Sequence, residues 1–150
     1  LFIQKHKPIL IGLSEHKKIF SSGIDNIENL GFHLIDTNKC STNVKILWVL
    51  AHHSIGNTTM VMSSDQHVTC SFNYLGSHFT CSFIYARNRY QDPMNLWVDI
   101  TSLKSITSNP WLLLGDFNAI LNLDEKMGAE NTSISSREFR LCIDQNDLIE

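Results

Sequence analysis

An α/β fold is what the sequence predicts, and three observations lead to it. Short apolar or alternating runs, each about the length of a β-strand, recur along the 150 residues. Two longer segments, near residues 94–106 and 136–146, carry apolar residues at helical spacing instead. Gly and Ser/Asn clusters punctuate the runs, and no repeat, linker or low-complexity stretch breaks the pattern. Strands of buried type interrupted by helices imply two sheets packed face to face with helices outside. A hydrophobic content of 43% with 18% charged residues fits the packed core of one domain rather than disorder.

The elements follow in order. Pro8 precedes Ile9–Leu13, a short core strand that runs into Ser14-Glu15. Ile24, Ile27 and Leu30 have helical spacing, and Gly31 supplies the stop. His33–Asp36 reads as a strand. Lys45–Ala51, Thr58–Ser63, Gln66–Tyr74 and Phe79–Ala86 read as successive strands, antiparallel in part. A helix over Met94–Ile106 places Leu96, Trp97, Ile100, Leu103 and Ile106 on one broad face. Trp111–Leu114 is apolar throughout, as expected of a strand buried on both faces, and it ends abruptly in Gly115-Asp116-Phe117-Asn118. Ser136–Asn146 forms a last helix with Phe139, Leu141, Cys142 and Ile143, and Ser135 or Ser136 is its candidate N-cap.

Several classes are excluded or disfavoured. The longest apolar run, Ile46–Ala51, is too short to cross a bilayer, and the N-terminus lacks the charged-then-apolar order of a signal peptide. Cys40, Cys70, Cys81 and Cys142 show neither CxxC nor paired-His spacing, so reduced, buried thiols in a reducing intracellular location are expected. Cys70 and Cys81 sit where they would be neighbours across a hairpin, with no functional bridge expected. A formal charge of −3 and a pI near 6.2 argue weakly against a strong nonspecific DNA binder, without excluding an acidic centre with local basic residues at its rim. A chain opening on Leu1 and ending on Glu150 reads as a fragment.

The chemistry concentrates at strand ends. If the extended conformation continues past Gly115, Asp116 and Asn118 point one way and Phe117 the other, toward a core. A carboxylate beside a carboxamide at the mouth of a sheet suits the orientation of a water and a phosphate oxygen. The plainer reading of Gly-Asp-x-Asn is a turn after a core strand, and those four residues alone favour it. Glu15 at its strand end suits an oxygen ligand for Mg²⁺, which takes one or two carboxylates and retains waters; the plainer reading is a solvated acid. Tyr85 and Asn88 end the strand Phe79–Ala86, and Arg87 and Arg89 beside them are either phosphate contacts or solvated charges. Glu125-Lys126 with Gly128 reads equally as a loop over substrate or a surface turn. Adjacent His52 and His53 on a strand face opposite ways, which argues against reading them as a metal pair. Trp48, Trp97 and Trp111 read as packing aromatics rather than a base-stacking platform.

In chain order, Ile11-Gly12-Leu13-Ser14-Glu15, Ile84-Tyr85-Ala86-Arg87-Asn88 and Leu114-Gly115-Asp116-Phe117-Asn118 resemble three motifs of the endonuclease/exonuclease/phosphatase superfamily, the fold of abasic-site endonucleases and pancreatic-type deoxyribonuclease. From Lys7 to Glu150 the pattern is also similar to the endonuclease domain of plant non-LTR retrotransposons. The resemblance implies a four-layer α/β sandwich, here incomplete at both ends. Residues 1–150 would form a partial domain lacking the first catalytic strand, with its Asn, and the C-terminal Asp-His segment. It implies a DNA endonuclease using Mg²⁺ or Mn²⁺, with a reverse transcriptase domain in the same full-length polyprotein.

Residue by residue, the resemblance makes Glu15 the metal-binding acid, although Ser14 stands where the family usually has Gln. Asp116 would orient or deprotonate the attacking water, and Asn118 would fix that water or the scissile phosphate. Tyr85 would hydrogen-bond the phosphate or the water, and Asn88 would brace the acid of the third motif. Arg87 replaces a proline often found in that turn, and with Arg89 it would contact the phosphate backbone. Without the missing groups, little or no cleavage is expected of these residues alone. The competing readings are a noncatalytic remnant that at most binds nucleic acid or a partner, and a phosphatase acting on inositol phosphates or sphingolipids.

Overall fold

A computed structural model describes residues 2–15, 27–38, 47–87, 93–121 and 134–149. Its elements are α1 (Phe2–His6), β1 (Leu10–Ser14), β2 (Phe32–Thr37), β3 (Leu47–His52), β4 (Thr58–Ser63), β5 (His67–Tyr74), β6 (Ser77–Tyr85), α2 (Pro93–Ile106), β7 (Trp111–Asp116) and α3 (Ile134–Gln145). They group into two compact units, the first comprising Leu1–Tyr85 with Asn109–Gly115 and the second Ala86–Ser108 with Asp116–Glu150. The expected strands are found within a residue or two of their predicted limits. The helix expected over Ile24–Leu30 begins outside the described residues; its end is seen at Ile27-Glu28, where the amide of Gly31 donates to the carbonyl of Glu28 at 2.9 Å.

The first unit holds two sheets. One has the order β1-β3-β2 and is antiparallel throughout, with Gly12 opposite Val49 and Leu34 opposite Leu50. The other has the order β4-β5-β6-β7, antiparallel from β4 to β6. At its last pair, Thr80 N–H donates to Pro110 C=O and Ala86 N–H to Asp116 C=O, at 3.0 and 2.8 Å. Both partners advance together, from 80 to 86 and from 110 to 116, so β7 runs parallel to β6 and the sheet is mixed.

Alternation decides what lies between the sheets. Leu47, Val49 and Ala51 of β3 meet Val68, Cys70 and Phe72 of β5 and Cys81 and Phe83 of β6 in one apolar cluster, with Ile55 added from the turn after β3. The sheets approach so closely at β1 that a side chain at Gly12 would overlap the Phe83 ring, whose Cε1 would lie 3.0 Å from the added Cβ. On the other face of β5 and β6 a buried polar line replaces apolar packing. Trp111 Nε1 donates to Ser82 Oγ at 2.9 Å, Ser82 Oγ shares a hydrogen bond with Thr69 Oγ1 at 2.7 Å, and Thr69 Oγ1 meets His67 Nδ1 at 3.2 Å. Each of these buried polar atoms is thereby satisfied, which is the condition for tolerating them there.

Two expectations about this unit need comment. Cys70 and Cys81 are indeed partners across the β5–β6 hairpin, and both are free thiols. Burial pushes Cys70 up to about 11, and burial together with the neighbouring Cys70 pushes Cys81 up to about 12, so neither supplies a reactive thiolate at neutral pH. Cys40 lies outside the described residues. The expectation that β7 is buried on both faces is wrong: Leu112 is 54% and Leu114 44% exposed. Among the described residues β7 is the last strand of its sheet, and an apolar run does not reveal whether a neighbour covers it.

The second unit is built on α2 and α3. Leu96, Trp97, Ile100 and Leu103 are buried as the periodicity predicts, but Ile106, in the last position of α2, is exposed. α3 starts at Ile134, so Ser135 and Ser136 lie inside its first turn and neither is the N-cap. Phe139 and Cys142 are buried while Leu141 is exposed. An aromatic column runs through the unit, with Phe117 stacked on Phe139 at 4.9 Å between ring centroids and Phe139 on Trp97 at 5.1 Å. Asn146 closes the helix pair, its Nδ2 donating to Cys142 C=O at 2.8 Å and to Thr101 Oγ1 at 3.2 Å.

Candidate active site

In the first unit the end of β1 meets the end of β6. Tyr85 hydroxyl donates to Glu15 Oε1 at 2.5 Å, a charge-assisted bond between residues 70 positions apart in the chain. Glu15 is exposed and its backbone is left-handed, with φ of +55°. A left-handed glutamate is uncommon and costs free energy that the surrounding structure must supply, so the carboxylate is held in a posture a free strand end would not adopt. Tyr85 is half-buried against the inter-sheet cluster, and its own amide donates to Gln66 C=O at 2.8 Å. Its ring is therefore anchored on the core while its hydroxyl reaches the acid.

In the second unit the Asp116-Phe117-Asn118 segment grips one residue, Ala86. Ala86 N–H donates to Asp116 C=O at 2.8 Å, and Asn118 Nδ2 donates to Ala86 C=O at 2.5 Å. Asp116 Oδ1 accepts the Asn118 amide at 2.9 Å, an Asx turn, and Asn118 has φ of +47°. The extended conformation thus stops at Asp116. Asn118 serves the backbone rather than pointing alongside the acid, while Phe117 does turn into the aromatic column. Asp116 is exposed. The loop continues to Leu121, whose carbonyl accepts a hydrogen bond from the Arg140 guanidinium of α3.

Replacing Asn118 by Ala removes the bond to Ala86 and leaves a left-handed residue without a tolerant side chain. The expected cost is about 1–3 kcal/mol, read as a lowered urea midpoint.

Of the other candidates, Arg87 is half-buried just past β6, and Asn88, Arg89 and the Glu125-Lys126-Gly128 stretch lie outside the described residues. Among the described residues histidine forms no ligand set: His52 Nδ1 meets Ser54 Oγ at 2.8 Å and His53 stacks on His33. Among the described residues no group of three or more His, Cys, Asp or Glu is arranged to hold a metal. One exposed carboxylate suits Mg²⁺ with retained waters and does not suit a zinc site built from protein ligands. Sequence reasoning missed Ala86 and Gln66, which act through backbone groups; side-chain type carries no signal for that.

No protein-family model matches the sequence, and no curated protein is similar to it. Solved structures do match in fold. The endonuclease domain of TRAS1, a telomere-specific non-LTR retrotransposon, superposes with a TM-score of 0.72 at 9% identity over 97% of this chain and 61% of that one. An endonuclease/exonuclease/phosphatase family protein from Leptotrichia buccalis gives a TM-score of 0.50 at 16% identity over 79% of this chain and 57% of that one. The chain has the endonuclease/exonuclease/phosphatase fold. D. rerio TDP2 complexed with single-strand DNA product shares this fold at a TM-score of 0.57 and 11% identity, over 79% of this chain and 51% of that one. These 150 residues span about three fifths of the TRAS1 domain, so they present the endonuclease/exonuclease/phosphatase α/β sandwich over part of its extent.

Proposed function

We propose that the chain is part of a Mg²⁺-dependent phosphodiester hydrolase, a DNA endonuclease domain of retroelement origin whose full-length polyprotein carries a reverse transcriptase. The observation that supports it best is the bond from Tyr85 to Glu15, which couples the first and second resembling motifs through two side chains far apart in sequence. Glu15 would hold Mg²⁺ together with waters, and the ion would supply charge neutralisation at the scissile phosphate. Tyr85 keeps Oε1 of that acid engaged. Asp116 orients the attacking water and takes its proton, and Asn118 holds the turn that presents Asp116.

The metal reading is tested on the chain itself with Mn²⁺ as a paramagnetic stand-in. Mn²⁺ is expected to broaden the amide signals of Ser14 and Glu15, and Glu15→Gln to abolish that broadening. Tyr85→Phe, which removes only the supporting hydroxyl, is expected to weaken Mn²⁺ binding about 10–100-fold. Uniform broadening over all surface acids, unchanged in both variants, would refute the site. The hydrolase reading is tested by plasmid nicking with Mg²⁺, comparing these residues with a protein continued past both ends from its locus. Nicking by the longer form supports the endonuclease; no nicking by any folded form favours the noncatalytic remnant.

A further inference from the structure

Within the first unit each sheet contributes one partner to the Tyr85–Glu15 bond, since Glu15 follows β1 and Tyr85 ends β6. The core between the sheets is apolar, and apolar burial is non-directional. A phenol–carboxylate bond is directional and holds only over about 2.5–3.0 Å between its oxygens, so it needs the two sheets fixed in register at that end. Glu15 is left-handed as well, which makes its position depend on the strand pair directly behind it.

Asn38 supplies directional bonds at this end. It follows β2 and is fully buried. Its amide donates to Leu47 C=O at 3.1 Å, and its Oδ1 accepts the Leu47 amide at 2.9 Å. The side-chain oxygen thus takes the place of a main-chain carbonyl on the rung after Thr37 and Trp48. Leu47 is in turn the partner of Ser14, the residue before Glu15. On its other side Asn38 Nδ2 donates to Asp65 C=O at 2.9 Å, in the turn between β4 and β5 of the second sheet. Ser64 N–H braces that turn by donating to His67 C=O at 2.9 Å. The next residue after Asp65, the buried Gln66, accepts the Tyr85 amide on its carbonyl at 2.8 Å. Contacts therefore run from Ser14 through Leu47, Asn38, Asp65 and Gln66 to Tyr85, and the phenol closes the ring on Glu15.

We propose that Asn38 is a positioning residue for the Tyr85–Glu15 pair. Its carboxamide ties the sheet that carries Glu15 to the turn that holds Tyr85, and so sets the separation of phenol and carboxylate. A buried polar group bonded on both sides specifies one arrangement where apolar packing alone would accept several. The functional meaning of this role rests on the reading of Glu15 as a metal-binding acid; the positioning itself does not.

The test uses tyrosine labelled with carbon-13 at Cζ, whose signal responds to hydrogen bonding of the phenol. Loss of one signal in Tyr85→Phe assigns it. Asn38→Ala is expected to move the Tyr85 signal toward its position in Glu15→Ala, where the bond is absent. Ile55→Ala, which empties volume from the same core at the other end of β3, is expected to leave it in place. Mn²⁺ affinity gives a second readout: Asn38→Ala should weaken binding about tenfold in the parent protein and not further in Tyr85→Phe, the non-additivity of a residue that acts through the phenol. Asn38→Ser, one atom shorter and without the reach to Asp65, is read in the same way should the alanine variant lose its near-UV circular dichroism. In the parent protein a scalar coupling across the bond from Asn38 Nδ2 to the Asp65 carbonyl carbon is expected, and its absence would overturn the proposal whatever the variants do. An unmoved Tyr85 signal in a folded Asn38 variant, or equal losses of Mn²⁺ affinity in both backgrounds, would overturn it too. A parent protein that binds no Mn²⁺ at Glu15, with the Tyr85 signal still moved by Asn38→Ala, would sink the metal reading and support the positioning role.

Discussion

Replacing Gly115 by alanine is expected to unfold the first unit or to cost more than about 4 kcal/mol, a large part of the stability of an ordinary domain. Gly115 sits in β7 one residue before Asp116, with φ of +140°, where L side chains are rarely accommodated. An added Cβ would overlap the Ile84 carbonyl oxygen and would lie 2.8 and 2.9 Å from the carbonyl carbon and amide nitrogen of the same residue. These are backbone atoms of the neighbouring strand. They cannot swing aside as a flexible side chain would, so relief requires pulling β7 away from β6 and breaking the ladder that delivers Asp116. Urea unfolding followed by circular dichroism reads the effect. A midpoint close to that of the parent protein would show that the backbone relaxes there at little cost, and the close approach would lose its structural meaning.

Asp116→Asn should separate the two readings of the Gly-Asp-Phe-Asn segment. The amide oxygen of asparagine still accepts the Asn118 N–H, so the Asx turn and the stability should survive with a change within about 0.5 kcal/mol. The substitution removes the negative charge and the proton acceptor. In a form of the protein that nicks plasmid, the rate is expected to fall by about two to three orders of magnitude. Asp116→Ala should lose both stability and rate, because it deletes the turn as well. Full nicking by Asp116→Asn would leave Asp116 as a turn residue and nothing more.

The sheets were readable because alternation and turn residues decide local conformation. Thr58–Ser63 is a strand with the predicted limits, and Val68, Cys70 and Phe72 face inward while His67 and Thr69 face the other way. Leu112 and Leu114 are exposed where the sequence predicts burial of Trp111–Leu114, because four apolar residues look the same whether other strands cover them or leave them open. Ile106 is exposed for a related reason, since the helical period continues to a last turn that need not be covered. At the site, residue type pointed to Glu15, Tyr85, Asp116 and Asn118. It did not foresee that Asn118 turns left-handed and spends its amide on Ala86, because that depends on a residue just past β6, 32 positions away. The turn and the presentation of an acid, weighed as rivals from sequence, are compatible in three dimensions.

The column of Phe117, Phe139 and Trp97 has an optical consequence. Trp97 is the sole tryptophan of the second unit, Trp48 and Trp111 belonging to the first. Two aromatic contacts separate its indole from the residue that follows Asp116. With Trp48 and Trp111 changed to phenylalanine, its emission becomes a native gauge of that loop, so a phosphate or metal that shifts Asp116 announces itself as a change of colour, without a label and before any bond is cut.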